Sequence, residues 1–253
     1  MPAMQTKPKV IFFTDFDGTI TVKDSNDHLT DNLGYGQARR RELNHAVLEG
    51  KMTFRDSFQD MLNSVRTPYD ECIRTLCSTM KLDPYFAEFY YWAKENNVPI
   101  VILSSGMEPI IHALLVAMLG HEPDNIQIVA NGVKVREGKK DINEEGGWDI
   151  VFHDDSGFGH DKSIEIRPYA DLPEGERPVL LYAGDGVSDL SAASQTDLLF
   201  AKKGHDLVTF CQRENIPYTL FEDWSTILST TKDIYDGKTN PKAVAAAQKE
   251  LQA

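Results

Sequence analysis

Apolar residues in this chain fall into two kinds of run. Short unbroken runs of strand-forming residues occur at Val10–Phe13, Val98–Ser104, Ile126–Ala130, Val179–Ala183 and Leu198–Ala201. Each ends in polar or glycine-containing sequence, the pattern of a strand buried on both faces. Between them, apolar residues recur three and four apart, which is helical spacing. Thr53 and Asp56 read as a capping box opening a helix with Phe58, Met61, Leu62 and Val65 on one face. Thr67-Pro68 opens another, with Pro68 at the first helical position and Ile73, Leu76, Cys77 and Met80 on its apolar stripe. Asp83-Pro84 opens a third, carrying Phe86, Phe89, Tyr90 and Trp92, a stripe better suited to a core than to a cofactor. Ser105-Gly106 is expected to turn into a helix from Met107 to Leu119, closed by Gly120. Helices over Ser225–Tyr235 and Lys242–Leu251 complete the chain.

Strands alternating with helices imply right-handed βαβ units. The fold expected is α/β and Rossmann-like, a mainly parallel sheet flanked by helices. Two insertions interrupt it. Residues 24–82 hold helices only and read as a small helical cap domain placed after the first strand; residues 1–23 and 83–253 form the core domain. Val133–Val135 and Trp148–Phe152 read as a β-hairpin around a charged loop, ahead of Lys162.

With 253 residues, the chain is long enough for one large domain carrying a smaller inserted one. Its 41% apolar and 26% charged residues are those of an ordinary globular protein. The net charge of −13 argues against nucleic acid and anionic membrane as partners, because both need a basic footprint. No apolar stretch approaches the ~20 residues of a membrane span. The first nine residues lack the apolar core of a secretory signal. Cys72, Cys77 and Cys211 are few and odd in number, as expected of reduced thiols in a cytoplasmic protein.

The chemistry gathers where strands end. Asp15-Phe16-Asp17-Gly18-Thr19 follows the first strand, where open α/β sheets bind their ligands. Two carboxylates at this spacing suit a hard divalent cation, or a division of labour between nucleophile and general acid/base, or a turn with solvated acids. Ser104 ends the second strand, and alone it reads equally as a hydroxyl capping the next helix. Lys162 alone reads as a surface lysine. Gly184-Asp185-Gly186-Val187-Ser188-Asp189 follows a later strand, and alone it is turn chemistry. The EF-hand spacing is missing, as is the G-x-x-x-x-G-K-[ST] of a nucleotide loop.

Taken together and in this order, the four elements resemble the signatures of the haloacid dehalogenase-like hydrolases, whose first motif is Asp-x-Asp-Gly-Thr. The resemblance implies that Asp15 attacks phosphorus to give an aspartyl-phosphate, and that Asp17 protonates the leaving alkoxide and then activates water. For that, Asp17 should have a raised pKa. It further implies Mg2+ held by Asp15, the backbone carbonyl of Asp17, and Asp185. Lys162 would supply further positive charge, Ser104, Ser105 and the backbone near Gly106 would cradle the phosphoryl group, and Asp189 would orient the metal shell or Lys162.

Within that superfamily, residues 9–201 look like the phosphoserine-phosphatase-like branch. Leu48 to Phe58 resembles the Glu-Gly-Lys-Leu-x-Phe-x-x-Ser-Leu of its caps. One residue later those enzymes carry an arginine for the substrate carboxylate, and this chain has Gln59. Asp24 falls where they place an acid for the substrate amine. Without the arginine an amino-acid phosphate is disfavoured. Asp24, Asn26 and Gln59 are therefore expected to bind hydroxyl groups. The whole chain is similar to fungal cytosolic phosphatases of this branch that act on sugar and polyol phosphates. The expected activity is a Mg2+-dependent hydrolysis of a small hydroxylated phosphomonoester. The alternatives are a phosphoserine-, phosphocholine- or methylthio-sugar-type phosphatase, a phosphomutase, or a non-catalytic scaffolding relative. His153, Asp154, Asp155, His160 and Asp161 offer donors for a second metal, or else form a solvated loop at the rim.

Overall fold

The computed structural model of the protein describes residues 2–252, with side chains through residue 248. In chain order it contains β1 (Val10–Thr14), α1 (Ser25–Leu33), α2 (Gln37–Leu48), α3 (Phe54–Asn63), α4 (Tyr69–Thr79), α5 (Phe86–Glu95) and β2 (Ile100–Met107). Next come α6 (Glu108–Leu119), β3 (Ile126–Val135), β4 (Trp148–Val151), α7 (Lys162–Ala170), β5 (Val179–Gly184) and the one-turn α8 (Leu190–Ala193). The chain ends with β6 (Leu198–Lys202), α9 (Asp206–Glu214), β7 (Thr219–Phe221), α10 (Trp224–Tyr235) and α11 (Pro241–Gln252).

The seven strands form one sheet in the order β4-β3-β2-β1-β5-β6-β7, parallel throughout except for β4, which pairs antiparallel with β3. This is the Rossmann-like arrangement expected. β1 lies between β2 and β5, so the strand order reverses beside it. In open α/β sheets that reversal leaves a crevice beyond the carboxyl ends of the strands. Asp15 follows β1 and Asp185 follows β5, one on each side of the reversal.

β1 is buried along its whole length. Its alternate side chains feed two cores. Val10 and Phe12 join the larger cluster, with Phe12 packed 4.7 Å from the Phe89 ring and 5.5 Å from Trp224. Ile11 and Phe13 join the smaller cluster on the opposite face, where Phe13 meets Tyr169 at 5.4 Å. A strand buried on both faces cannot shift register without exposing one set, so Asp15 is held in place.

Three of the four helices between β1 and α5 (α1, α3 and α4) bury Leu29, Phe58, Met61, Leu62 and Leu76 in the same cluster as Phe12 and Phe89. The apolar interior therefore runs without a break from the sheet into residues 24–82. A Thr21–Leu82 bridge closes the neck of that segment. At its far side α3 is tied to the chain around β4: the Arg55 amide donates to the Gly157 carbonyl at 2.8 Å, and the Arg55 guanidinium lies over the Phe152 ring.

Local readings shift in three places. β2 continues through Ser105 and Gly106 to Met107, instead of turning at Ser105, because its end keeps pairing with Asn131 of β3 across an irregular register. Pro68 is the N-cap of α4, one residue before the first helical position. α9 and β7 were not legible: β7 is three residues long, too short to show a period. Cys72 and Cys77 share α4, and all three cysteines are free.

Candidate active site

The turn after β1 places two carboxylates at the crevice. The Asp15 amide donates to the Ala183 carbonyl of β5 at 2.9 Å, extending the ladder one residue past the strand. Its Oδ1 accepts from the Phe16 amide at 2.7 Å and its Oδ2 faces the Lys162 Nζ at 3.0 Å. Gly18 then adopts a φ of +73°, and a side chain there would strike the Asp185 carboxylate. Glycine is thus needed for both the turn and the close approach.

Asp17 is 7% exposed and is held by the start of α1. Its Oδ1 accepts from the Ser25 amide at 2.8 Å and its Oδ2 from the Asn26 side chain at 2.9 Å. Burial pushes its pKa well up, and the neighbouring Asp24 charge adds to the shift. That is the direction a general acid requires. Asp24 caps α1, accepting from the Asn26 and Asp27 amides.

Lys162 opens α7 and is completely buried. Its Nζ donates to Asp189 Oδ1 at 2.6 Å, which also accepts the Tyr182 hydroxyl at 2.6 Å. Asp189 Oδ2 accepts the Asp185 and Gly186 amides, both at 2.9 Å. Burial alone would lower the Lys162 pKa, but the charges of Asp15 and Asp189 outweigh it and hold the ammonium protonated. Burial likewise drives Asp15 upward, against the pull of Lys162.

Oxygen donors suited to a hard cation meet here. Carboxylate oxygens of Asp15, Asp185 and Asp189 lie within 4.8 Å of one another. Each Asp189 oxygen already takes two hydrogen bonds, whereas each oxygen of Asp15 and Asp185 has one partner, so the donors with capacity left are Asp15, Asp185 and the Asp17 carbonyl, which accepts no hydrogen bond from the described residues. An all-oxygen, largely anionic set of this kind fits Mg2+. Asp185 is itself steadied by the Thr19 hydroxyl at 3.2 Å and by the His205 Nδ1 at 3.0 Å.

At the end of β2, Ser104 Oγ accepts from the Gly106 amide at 3.0 Å, so that amide is already partnered. The Ser104 carbonyl accepts from His160 Nδ1 at 2.8 Å, which fixes the tautomer with Nε2 bare. Burial lowers the His160 pKa to about 4. The Asn131 side chain donates to the Ser105 carbonyl at 2.6 Å.

A crevice of about 910 Å³ opens above these groups. Asp15, Asp17, Asp24, Asn26, Ser104 and Ser105 line it, together with Asp185. Gln59 does not. Its amide donates to Asp149 of β4 at 2.9 Å and to Asn63, so it holds α3 to the sheet edge; the crevice wall is instead made by Phe54, Phe58 and Met61 of the same helix. On an amphipathic helix one position decides which face a side chain joins, and Gln59 lies beside Phe58 on the other face. Nor does a second metal set form among the described residues. Asp154 accepts from the Ser156 and Asp161 amides, Asp161 caps α7, and His153 Nε2 pairs with Glu165 at 3.0 Å.

Sequence reasoning missed Arg40, which is 9% exposed and lines the crevice. Its partners Asp27 and Asp31, four apart on α1, were legible as one helix face, but their cation sits nine residues past Asp31 in α2. His205 was also missed. It follows β6, and the rule that ligands bind beyond strand ends could have found it.

Residues 12–194 match the family model for haloacid dehalogenase-like hydrolases. The chain is 52% identical to Pdp3-interacting factor 1 of Schizosaccharomyces pombe over 225 residues, covering 88% of this chain and 95% of that one. To the polyol phosphate phosphatase PYP1 of Saccharomyces cerevisiae it is 46% identical over 237 residues, covering 91% and 95%. In fold it is similar to a phosphoserine phosphatase solved as a phospho-aspartyl intermediate analogue, with a TM-score of 0.62 at 17% identity over 88% of this chain and 98% of the other.

Proposed function

The chain belongs to the haloacid dehalogenase-like hydrolases, and from that membership we propose that it is a Mg2+-dependent phosphatase acting on a sugar or polyol phosphate. The observation that carries the proposal is the meeting of Asp15, Asp17, Lys162 and Asp185 at the reversal of strand order. The polyol phosphatase similar over nine-tenths of the chain supports the substrate class.

In this reading Asp15 Oδ attacks the phosphorus in line with the leaving oxygen, forming an aspartyl-phosphate and releasing an alkoxide. Splitting hydrolysis into two displacements lowers each barrier. Asp17, whose pKa is raised by burial and by the Asp24 charge, gives its proton to that alkoxide; it then takes one from the water that cleaves the aspartyl-phosphate and restores Asp15. Lys162 meets the charge that develops on the phosphoryl oxygens, and Asp189 and Tyr182 keep its ammonium in place. The Ser104 hydroxyl accepts from the Gly106 amide, which leaves its own proton free to donate to the same oxygens. A Mg2+ ion held by Asp15, Asp185 and the Asp17 carbonyl would neutralise the approach of two anions.

The remainder of the substrate meets a wall rich in acids. Asp24, Asp27, Asp31 and Asp206 line the crevice against Lys23 and Arg40. Such a wall favours neutral hydroxyl groups over a second anion. Release of inorganic phosphate from a panel of phosphomonoesters with Mg2+ tests the proposal. Sorbitol or ribitol phosphate should exceed phosphoserine in kcat/KM. Preference for phosphoserine, or return of an isomer with no free phosphate, would refute it.

A further inference from the structure

The crevice has a second polar centre away from the catalytic acids. Arg40 of α2 forks onto Asp31 with Nε and Nη2, each at 2.8 Å, and reaches Asp27 with Nη1 at 2.6 Å. A guanidinium carries five N–H donors, so two hydrogen bonds to Asp31 and the ion pair to Asp27 leave at least two unused. Arg40, Asp27 and Asp31 all line the crevice. Arg40 is buried while Asp27 and Asp31 are only partly so, and an ion triad of this kind is weak support for stability alone. Hydrophobic residues would tie α1 to α2 as well.

An independent observation lies one residue before Asp27. Asn26 is 4% exposed, lines the same crevice and donates to Asp17, yet its Oδ1 is closed to solvent with no partner. Buried acceptors without partners are uncommon and costly. Along α1, then, Asp17's partner Asn26 comes first, Asp27 next and Asp31 a turn later, about 6 Å further along the axis from Asp27 at the helical rise. The same crevice is lined by Phe54 and Phe58, stacked at 5.5 Å, and by Met61. The lining thus offers donors and acceptors in sequence along α1 and an apolar surface from α3. A linear polyol has the matching character: hydroxyl groups along its length and a C–H surface.

We propose that Arg40, Asp27 and Asp31, with Asn26, form a subsite for the distal hydroxyl groups of an extended five- or six-carbon polyol phosphate. The proposal rests on the phosphatase reading above and adds chain length to it. Arg40 donates to hydroxyl oxygens with its unused N–H groups, while Asp27 and Asn26 accept hydroxyl protons. A three-carbon ester leaves the triad unreached.

The test compares kcat/KM for sorbitol 6-phosphate and glycerol 3-phosphate in wild type, Arg40→Gln and Asp27→Asn. In wild type the six-carbon ester should lead. In each variant the ratio of six-carbon to three-carbon kcat/KM should fall about 10- to 100-fold, the range for losing a hydrogen bond to a charged group, with the loss mainly in KM. Equal losses on both esters would mean the triad only supports α1 and, through it, Asp17; that outcome, or an unchanged ratio, overturns the proposal. Asp27→Asn keeps the Arg40–Asp31 fork, so it supplies the readout if Arg40→Gln fails to fold. Wild type that hydrolyses both polyol phosphates equally well overturns this subsite alone. Wild type that hydrolyses p-nitrophenyl phosphate but neither polyol ester overturns the substrate reading itself.

Discussion

Lys162 Nζ lies 2.6 Å from Asp189 Oδ1, and neither side chain has any exposed surface. The same ammonium reaches Asp15 at 3.0 Å. One buried cation therefore serves two carboxylates, one facing the crevice and the other sealed beneath it. Asp189 in turn accepts the Tyr182 hydroxyl and two backbone amides, so the lysine rests on a fully satisfied base.

Removing the cation should be costly on two counts. Lys162→Met leaves Asp15 and Asp189 buried without their counter-ion, and breaking such a pair typically costs about 3–5 kcal/mol. Urea unfolding should show a loss of that order, and turnover should fall below detection. A variant as stable as wild type would show that the lysine is not the partner of both acids.

Asp15→Asn should abolish turnover yet spare the fold. Burial makes the Asp15 charge expensive, and Lys162 keeps Asp189 as its partner, so the melting temperature should change little. Beryllium fluoride, a mimic of the phosphoryl group, should protect wild type against thermal unfolding but not Asp15→Asn. Activity within tenfold of wild type would end the assignment of Asp15 as nucleophile.

Metal dependence has a readout apart from turnover. Mg2+ should raise the melting temperature of wild type by mass action, and Asp185→Ala should remove that shift. Ca2+ should bind and inhibit, since its larger and looser coordination disturbs the geometry of attack. Full turnover after exhaustive dialysis against EDTA would contradict the whole arrangement.

His160 makes stability depend on pH. Its pKa is lowered by burial from 6.5 to about 4 in the folded chain. The unfolded chain therefore binds the proton more tightly, and the contribution is complete above pH 6.5 and lost as pH falls from 6.5 towards 4. The difference corresponds to about 3 kcal/mol. His160→Asn keeps a donor for the Ser104 carbonyl and cannot titrate. Between pH 7 and pH 4.5 its unfolding free energy should fall less steeply than that of wild type; parallel slopes would show that His160 is not the titrating group.

Gln59→Arg should leave substrate preference alone. Gln59 faces Asp149, and an arginine there would pair with that carboxylate at the sheet edge. The ratio of phosphoserine to polyol phosphate in kcat/KM should stay within about twofold of wild type, because a part-buried ion pair at the sheet edge does not reach the crevice. A clear gain for phosphoserine would place the α3 face differently.

Much of this protein is written locally. The Val10–Phe13 run, the helical spacing from Phe58 to Leu62 and the glycine at 120 each specify one element from a few neighbouring residues, because period and turn chemistry are short-range properties; Val65, expected on the same helix, lies past its end at Asn63. The order of Asp15, Asp17, Ser104, Lys162 and Asp185 at strand ends and helix starts is likewise legible, since open α/β sheets place chemistry there. Tertiary structure decided the rest. Placing β1 between β2 and β5 brings Asp185 to Thr19, 166 residues away, and pairing preferences along a strand do not encode which neighbour it takes. Packing of α3 against β4 turned Gln59 away from the crevice. The approach of α2 to α1 brought Arg40 onto Asp27 and Asp31, a contact that exists only once two helices share a buried face.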